Sequence, residues 1–133
     1  MRLSYKAEID VITGLSLEEV AKQLTNEIDI LVFIADESGR FEEVPAYTAM
    51  LGELEFVLSG VPEDVESDGY FLQLTSRSDI DVQEYIEKYG EKYFGGFPCD
   101  ESMVDESGYV NATGEVLRFL RESSVLEFKV AEQ

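Results

Sequence analysis

Near the N-terminus apolar and polar residues alternate: Leu3, Tyr5, Ala7, Ile9 and Val11 are apolar, and Arg2, Ser4, Lys6, Glu8 and Asp10 between them are polar. A period of two predicts a strand with one buried face. Thr13 and Gly14 end it. Ser16 with Glu19 then forms a capping box, in which each side chain satisfies a backbone N–H at the helix start. Leu17, Val20, Ala21, Leu24 and Ile28 follow on one helical face. The unbroken run Ile30-Leu31-Val32-Phe33-Ile34-Ala35 predicts a central strand buried on both faces. Asp36 to Gly39 reads as a turn and Phe41 to Val44 as a returning strand. Pro45 limits that strand because it has no N–H for a ladder. Ala46 to Leu51 fits a helical turn or an extended segment.

Leu54, Phe56 and Leu58, then Tyr70, Leu72 and Leu74, alternate with their neighbours around an acidic stretch from Pro62 to Gly69. This pattern predicts a hairpin with a long turn. A second helix starts near Asp79 or Asp81. Its stripe is Val82, Tyr85, Ile86, Tyr89 and Tyr93, with Glu84 and Lys88 as an i,i+4 pair, and it ends at Gly95-Gly96. Phe97 to Gly108 reads as loop. A short helix from Gly114 to Glu122 takes Thr113 as N-cap, and Leu126, Phe128 and Val130 form a closing strand. The order β-α-β-β-β-β-α-α-β lacks the regular alternation of a parallel doubly wound sheet. It predicts an α+β fold in which an antiparallel or mixed sheet carries helices on one face. At this length, residues 1–133 form a single domain.

Composition turns this scaffold toward recognition. The chain has 29 Asp plus Glu against 10 Lys plus Arg and no His, a formal net charge of -19 at pH 7. A surface of that sign repels nucleic acid and anionic lipid and attracts basic surfaces. The first residues carry charge where a signal peptide needs an apolar core, and no segment approaches the length of a membrane span, so a cytoplasmic location is expected. The single Cys99 has no internal disulfide partner.

The absence of His removes the usual general base and the commonest metal ligand. Cys99 lacks a base to activate it, and Asp100 and Glu101 beside it oppose thiolate formation. Neither Asp36 to Arg40 nor Asp100 to Gly108 keeps the EF-hand ligand spacing, and Gly95-Gly96 lacks the P-loop lysine. We therefore expect no metal, no cofactor and no enzymatic activity. A carboxylate pair among Glu42, Glu43, Glu53 and Glu55 is the one catalytic alternative left open.

Charge is unevenly distributed. From Phe41 to Ser76 the acids Glu42, Glu43, Glu53, Glu55, Glu63, Asp64, Glu66 and Asp68 occur without one Lys or Arg. From Phe94 to Val116 the same holds for Asp100, Glu101, Asp105, Glu106 and Glu115. Apart from Glu115, these acids, with Tyr47 and Tyr109 as aromatic anchors, are the candidate partner-binding residues. An acidic turn closed by Gly recurs in Asp36-Glu37-Ser38-Gly39, Glu66-Ser67-Asp68-Gly69 and Asp105-Glu106-Ser107-Gly108, which local turn chemistry explains.

In size, charge and mixed α/β pattern the chain resembles the small acidic bacterial immunity proteins of polymorphic toxin and contact-dependent inhibition systems. The resemblance rests on no sequence motif. It implies a basic, nuclease-like toxin domain as partner, with the acids covering its active or substrate-binding face. A phage-type nucleic-acid mimic that blocks a DNA- or RNA-binding protein is the alternative from the same charge argument.

Overall fold

The N-terminal alternation becomes strand β2 (Tyr5–Ile12), preceded by the short β1 (Arg2–Leu3). In β2 Tyr5, Ala7, Ile9 and Val11 are buried while the residues between them are half-buried. The computed structural model describes residues 2–37, 45–60 and 69–131. Helix α1 (Leu17–Glu27) starts at the expected capping box: Ser16 Oγ accepts from the Glu19 N–H, and Glu19 Oε1 accepts from the Ser16 N–H.

Four strands follow: β3 (Ile34–Ala35), β4 (Ala46–Leu51), β5 (Leu54–Ser59) and β6 (Gly69–Ser76). Beyond them come β7 (Ile80–Asp81), helix α2 (Val82–Tyr89), helix α3 (Glu91–Phe94), a 3₁₀ turn (Glu101–Met103), β8 (Val110–Asn111), helix α4 (Thr113–Ser123) and β9 (Glu127–Val130). The main sheet runs β3-β4-β5-β6-β2-β8, and β9 pairs with β2 beyond β8. Its pairings are antiparallel except β2 with β8, which is parallel. A separate two-stranded sheet joins β1 to β7. This is the mixed, mainly antiparallel α+β architecture predicted from the element order. The inward residues of the sheet and the apolar faces of α1 and α4 belong to one cluster of buried side chains.

The run Ile30 to Ala35 is not the central strand. Only Ile34 and Ala35 are strand, they form an edge, and Val32 and Ile34 are 58% and 62% exposed. Leu31 and Phe33 are buried, and Ile30 is half-buried against the core. A continuous apolar run does not say how many neighbours a strand will have. The central place goes to β5, buried at every position from Leu54 to Leu58, Glu55 included. Ala46 to Leu51, ambiguous in sequence, is its extended partner β4. The turn and strand expected over Ser38 to Val44 lie outside the described residues, as does most of the turn from Pro62 to Gly69.

The second helix is broken where one continuous helix was expected. Gly90 has φ +101°, a conformation open to glycine, and it separates α2 from α3. The break lets Phe94 pack edge-on against both Tyr85 and Phe97, with ring centroids 5.4 Å apart in each case. At α4 the N-cap is Ala112, one residue before the expected Thr113, and it makes no side-chain cap bond. Asn111 Oδ1 accepts from the Thr113 N–H at 3.0 Å, while Thr113 Oγ1 accepts from the Glu8 N–H and ties the helix to β2.

Gly69 stands opposite Ile12 in the β2–β6 ladder, where an added Cβ would lie 1.7 Å from the Val11 carbonyl oxygen. Gly69→Ala should therefore force the ladder apart and cost about 1–3 kcal/mol in chemical denaturation, the usual range for overpacking. Wild-type stability in that variant would show that the strands separate without penalty.

Candidate interaction surface

The acidic loop between α3 and β8 is anchored to the start of β2. Tyr5, almost wholly buried, donates its hydroxyl to the Pro98 carbonyl at 2.6 Å. Burial, and then the neighbouring Cys99, raise the Tyr5 pKa, so the hydroxyl remains a donor. Val110 donates its N–H to the Ser4 carbonyl at 2.8 Å, and Val104 bridges to Val110. Between these anchors Lys6 Nζ meets Asp105 Oδ2 at 2.7 Å.

Asp105 organises the turn. Its Oδ1 accepts from the Ser107 N–H at 2.9 Å and from the Tyr109 N–H at 3.1 Å, and Gly108 closes the turn at φ +88°. This is the chemistry predicted for the acidic Gly-closed turns, at the one copy that lies wholly within the described residues. The Lys6 ammonium first, and the Ser107 and Tyr109 donors after it, hold the Asp105 carboxyl well below its ordinary value. Asp100 works similarly: its Oδ1 accepts from the Ser102 N–H at 2.9 Å, which caps the 3₁₀ turn and lowers its pKa. Glu101 and Glu106, exposed on the same loop, make no ion pair among the described residues.

The predicted partner-binding residues thus divide. Asp100, Glu101, Asp105 and Glu106 come together on one anchored loop, with Tyr109 half-buried beside them. Glu53 is exposed at the β4–β5 turn, away in sequence from that loop. Tyr47 lies on β4, half-buried, and lines a groove against α1. Glu42, Glu43, Glu63, Asp64, Glu66 and Asp68 lie outside the described residues.

Glu55 is a correction to the expected surface. It is only 5% exposed, on the central strand, and its Oε2 accepts from Arg77 Nη2 at 3.0 Å. Arg77 follows β6, the neighbouring strand, so the ladder that buries the carboxylate also supplies its counter-ion. With Glu55 in the interior, a catalytic pair of exposed carboxylates with Glu53 has no support on this strand. Sequence reasoning missed Lys6, Tyr5 and Arg77 as positioning residues. None of them carries a local signal, because each partner lies at least 22 residues away.

Among the described residues no group of three carboxylate or thiol side chains is gathered as a metal site requires. Cys99 is exposed, and its Sγ–H points to the Phe97 carbonyl at 3.4 Å. No helix among the described residues is long and apolar enough to cross a membrane.

Arg77→Ala should cost about 1–3 kcal/mol by leaving Glu55 buried without its guanidinium. The double variant Glu55→Leu with Arg77→Leu should recover most of that loss; equal instability of both would show that packing, not charge, is what Arg77 provides. Asp105 has a lowered folded pKa, so its contribution to stability is present above the unfolded value of about 3.9 and is lost as pH falls through the folded one. In an NMR carboxyl titration its midpoint should lie below the usual Asp value and rise on Lys6→Ala; an unmoved midpoint would remove Lys6 as the cause. No protein-family model, curated protein or solved structure matches this chain.

Proposed function

We propose that this chain is a non-enzymatic binding protein of the immunity type, which neutralises a basic, nuclease-like partner by covering its active or substrate-binding face with acid. The observation that carries the reading is the loop from Asp100 to Tyr109. It contains no basic residue, its four acids are exposed, and its ends are fastened to β2 through Tyr5, Lys6 and Val110. Acids held by a frame lose less conformational freedom on binding than acids on a loose chain.

The net charge of -19 adds long-range attraction. Steering of this kind raises association rates and weakens with salt. Within the loop the roles differ: Asp100 and Asp105 shape the turns while contributing charge, and Glu101 and Glu106 are the acids presented to a partner. Met103, 54% exposed and between them in sequence, adds an apolar contact to the charged loop.

Capture from the source cell should retain a basic protein at low salt and release it at high salt, and that protein's nuclease activity should be suppressed in the complex. Glu101→Lys with Glu106→Lys should slow association about tenfold at low salt, with the difference shrinking as salt rises. A captured partner whose affinity ignores both salt and these reversals would place the interface elsewhere.

A further inference from the structure

The β3 edge of the main sheet, which carries no further strand among the described residues, faces helix α1 across an open groove. Among the described residues strand β3 pairs with β4 alone, Ile34 opposite Thr48 and Ala35 opposite Tyr47, and Asp36 donates its N–H to the Ala46 carbonyl. In an antiparallel ladder successive residues direct their backbone groups to opposite edges. Ile34 and Asp36 therefore point toward β4, and Phe33 and Ala35 point away from it. The Phe33 N–H confirms the direction, since it donates to Thr25 Oγ1 of α1 at 3.0 Å. The N–H and C=O of the exposed Ala35 and the C=O of Phe33 have no ladder partner among the described residues.

Between this edge and α1 lies a groove of about 540 Å³. Phe33, Ala35 and Tyr47 line it from the sheet, and Glu18, Lys22 and Thr25 line it from the helix. On the other side of the same strands Val32, Ile34 and Met50 are 58%, 62% and 43% exposed. An extended chain added to β3 would set alternate side chains into the groove and onto this apolar strip, which is how edge strands flanked by a helix bind peptides.

We infer that the β3–α1 groove is a strand-addition site for an extended basic segment of a partner protein with apolar residues at alternate positions. Two features fix the occupant. The outward N–H and C=O of the exposed Ala35 are open to an added strand, which would pair with both at once. A second copy of this chain would bring another -19 charges to the same edge, whereas a basic segment is attracted to it and meets the exposed Glu37, two residues beyond Ala35. Lys22 is already paired with Glu18 at 3.2 Å, so it opposes a basic segment only weakly. The inference shares only the partner's charge with the reading of the acidic loop, and it places the contact on the opposite flank of the sheet order.

The test is an NMR titration of the labelled full chain with the capped hexapeptide Lys-Val-Lys-Val-Lys-Val at low salt. Shifts are expected at the Phe33, Ala35, Tyr47 and Thr25 amides. Ala35→Pro, which removes the outward N–H at an edge position that tolerates proline, should weaken binding about tenfold or more. Two further peptides, N-methylated at every valine or at every lysine, need no protein variant. In a strand those two sets of N–H groups face opposite edges, so one peptide should lose binding and the other keep it. Equal binding by both, with shifts spread over the Asp100 to Glu106 loop, would overturn strand addition and leave the acidic-surface reading standing. No shift anywhere would overturn the groove and count against both. Sedimentation as a dimer that Ala35→Pro abolishes would name a second copy as the occupant and overturn the basic-segment inference.

Discussion

Strand β2 is hydrogen-bonded along both edges, to β6 from Lys6 through Ile12 on one side and to β8 and then β9 on the other. Two elements distant in sequence share its second edge, so its register fixes where each of them sits. A one-residue slip would turn Tyr5, Ala7, Ile9 and Val11 out of the core and bring Lys6, Glu8 and Asp10 in. The same slip would detach Tyr5 from Pro98, Lys6 from Asp105 and the Glu8 N–H from Thr113. The acidic loop and α4 thus depend on the strand that specifies the core, and folding and presentation of the surface are one constraint.

Net charge describes this protein incompletely because its acids do four different jobs. Ser16 with Glu19, and Asp81 with the Gln83 and Glu84 N–H groups, close helix ends. Asp100 and Asp105 build turns, and Glu55 is buried against Arg77. Glu53, Glu101 and Glu106 remain as exposed side chains available to a partner. Acids in the first group stabilise local structure through backbone donors and keep that role at high salt, since short hydrogen bonds are less screened than exposed charges at a distance. Salt sensitivity of any complex should therefore report on the last group more than on the total.

The sheet has two unlike flanks. On one, β2 is covered along its second edge by β8 and β9, and the acidic loop lies across its start. On the other, β3 is two residues long, has no strand on its outer edge among the described residues and faces α1 across a groove. A short edge is a common protection against unwanted strand pairing. Here it stands beside exposed Val32 and Ile34 without a Lys or Pro among residues 28 to 37, so acidity is the local charge that selects what approaches.

What the sequence determined by itself is what neighbours along the chain decide. The β2 alternation, the Ser16–Glu19 box, a helix start near Asp79 or Asp81, the β5–β6 hairpin and the Gly-closed turn at Asp105 were legible because their physics runs over a few residues. Tertiary structure decided which strand is central, where the predicted helix breaks, and which acids remain on the surface. Ile30 to Ala35 and Leu54 to Ser59 are both strand-forming, and only the number of neighbours each acquires separates an exposed edge from a buried centre. Glu55 reads as an outward residue until β6 brings Arg77 beside it, and Asp105 reads as one acid among many until β2 brings Lys6. Pairing energies of this kind depend on distance through space, which residue order alone does not encode locally.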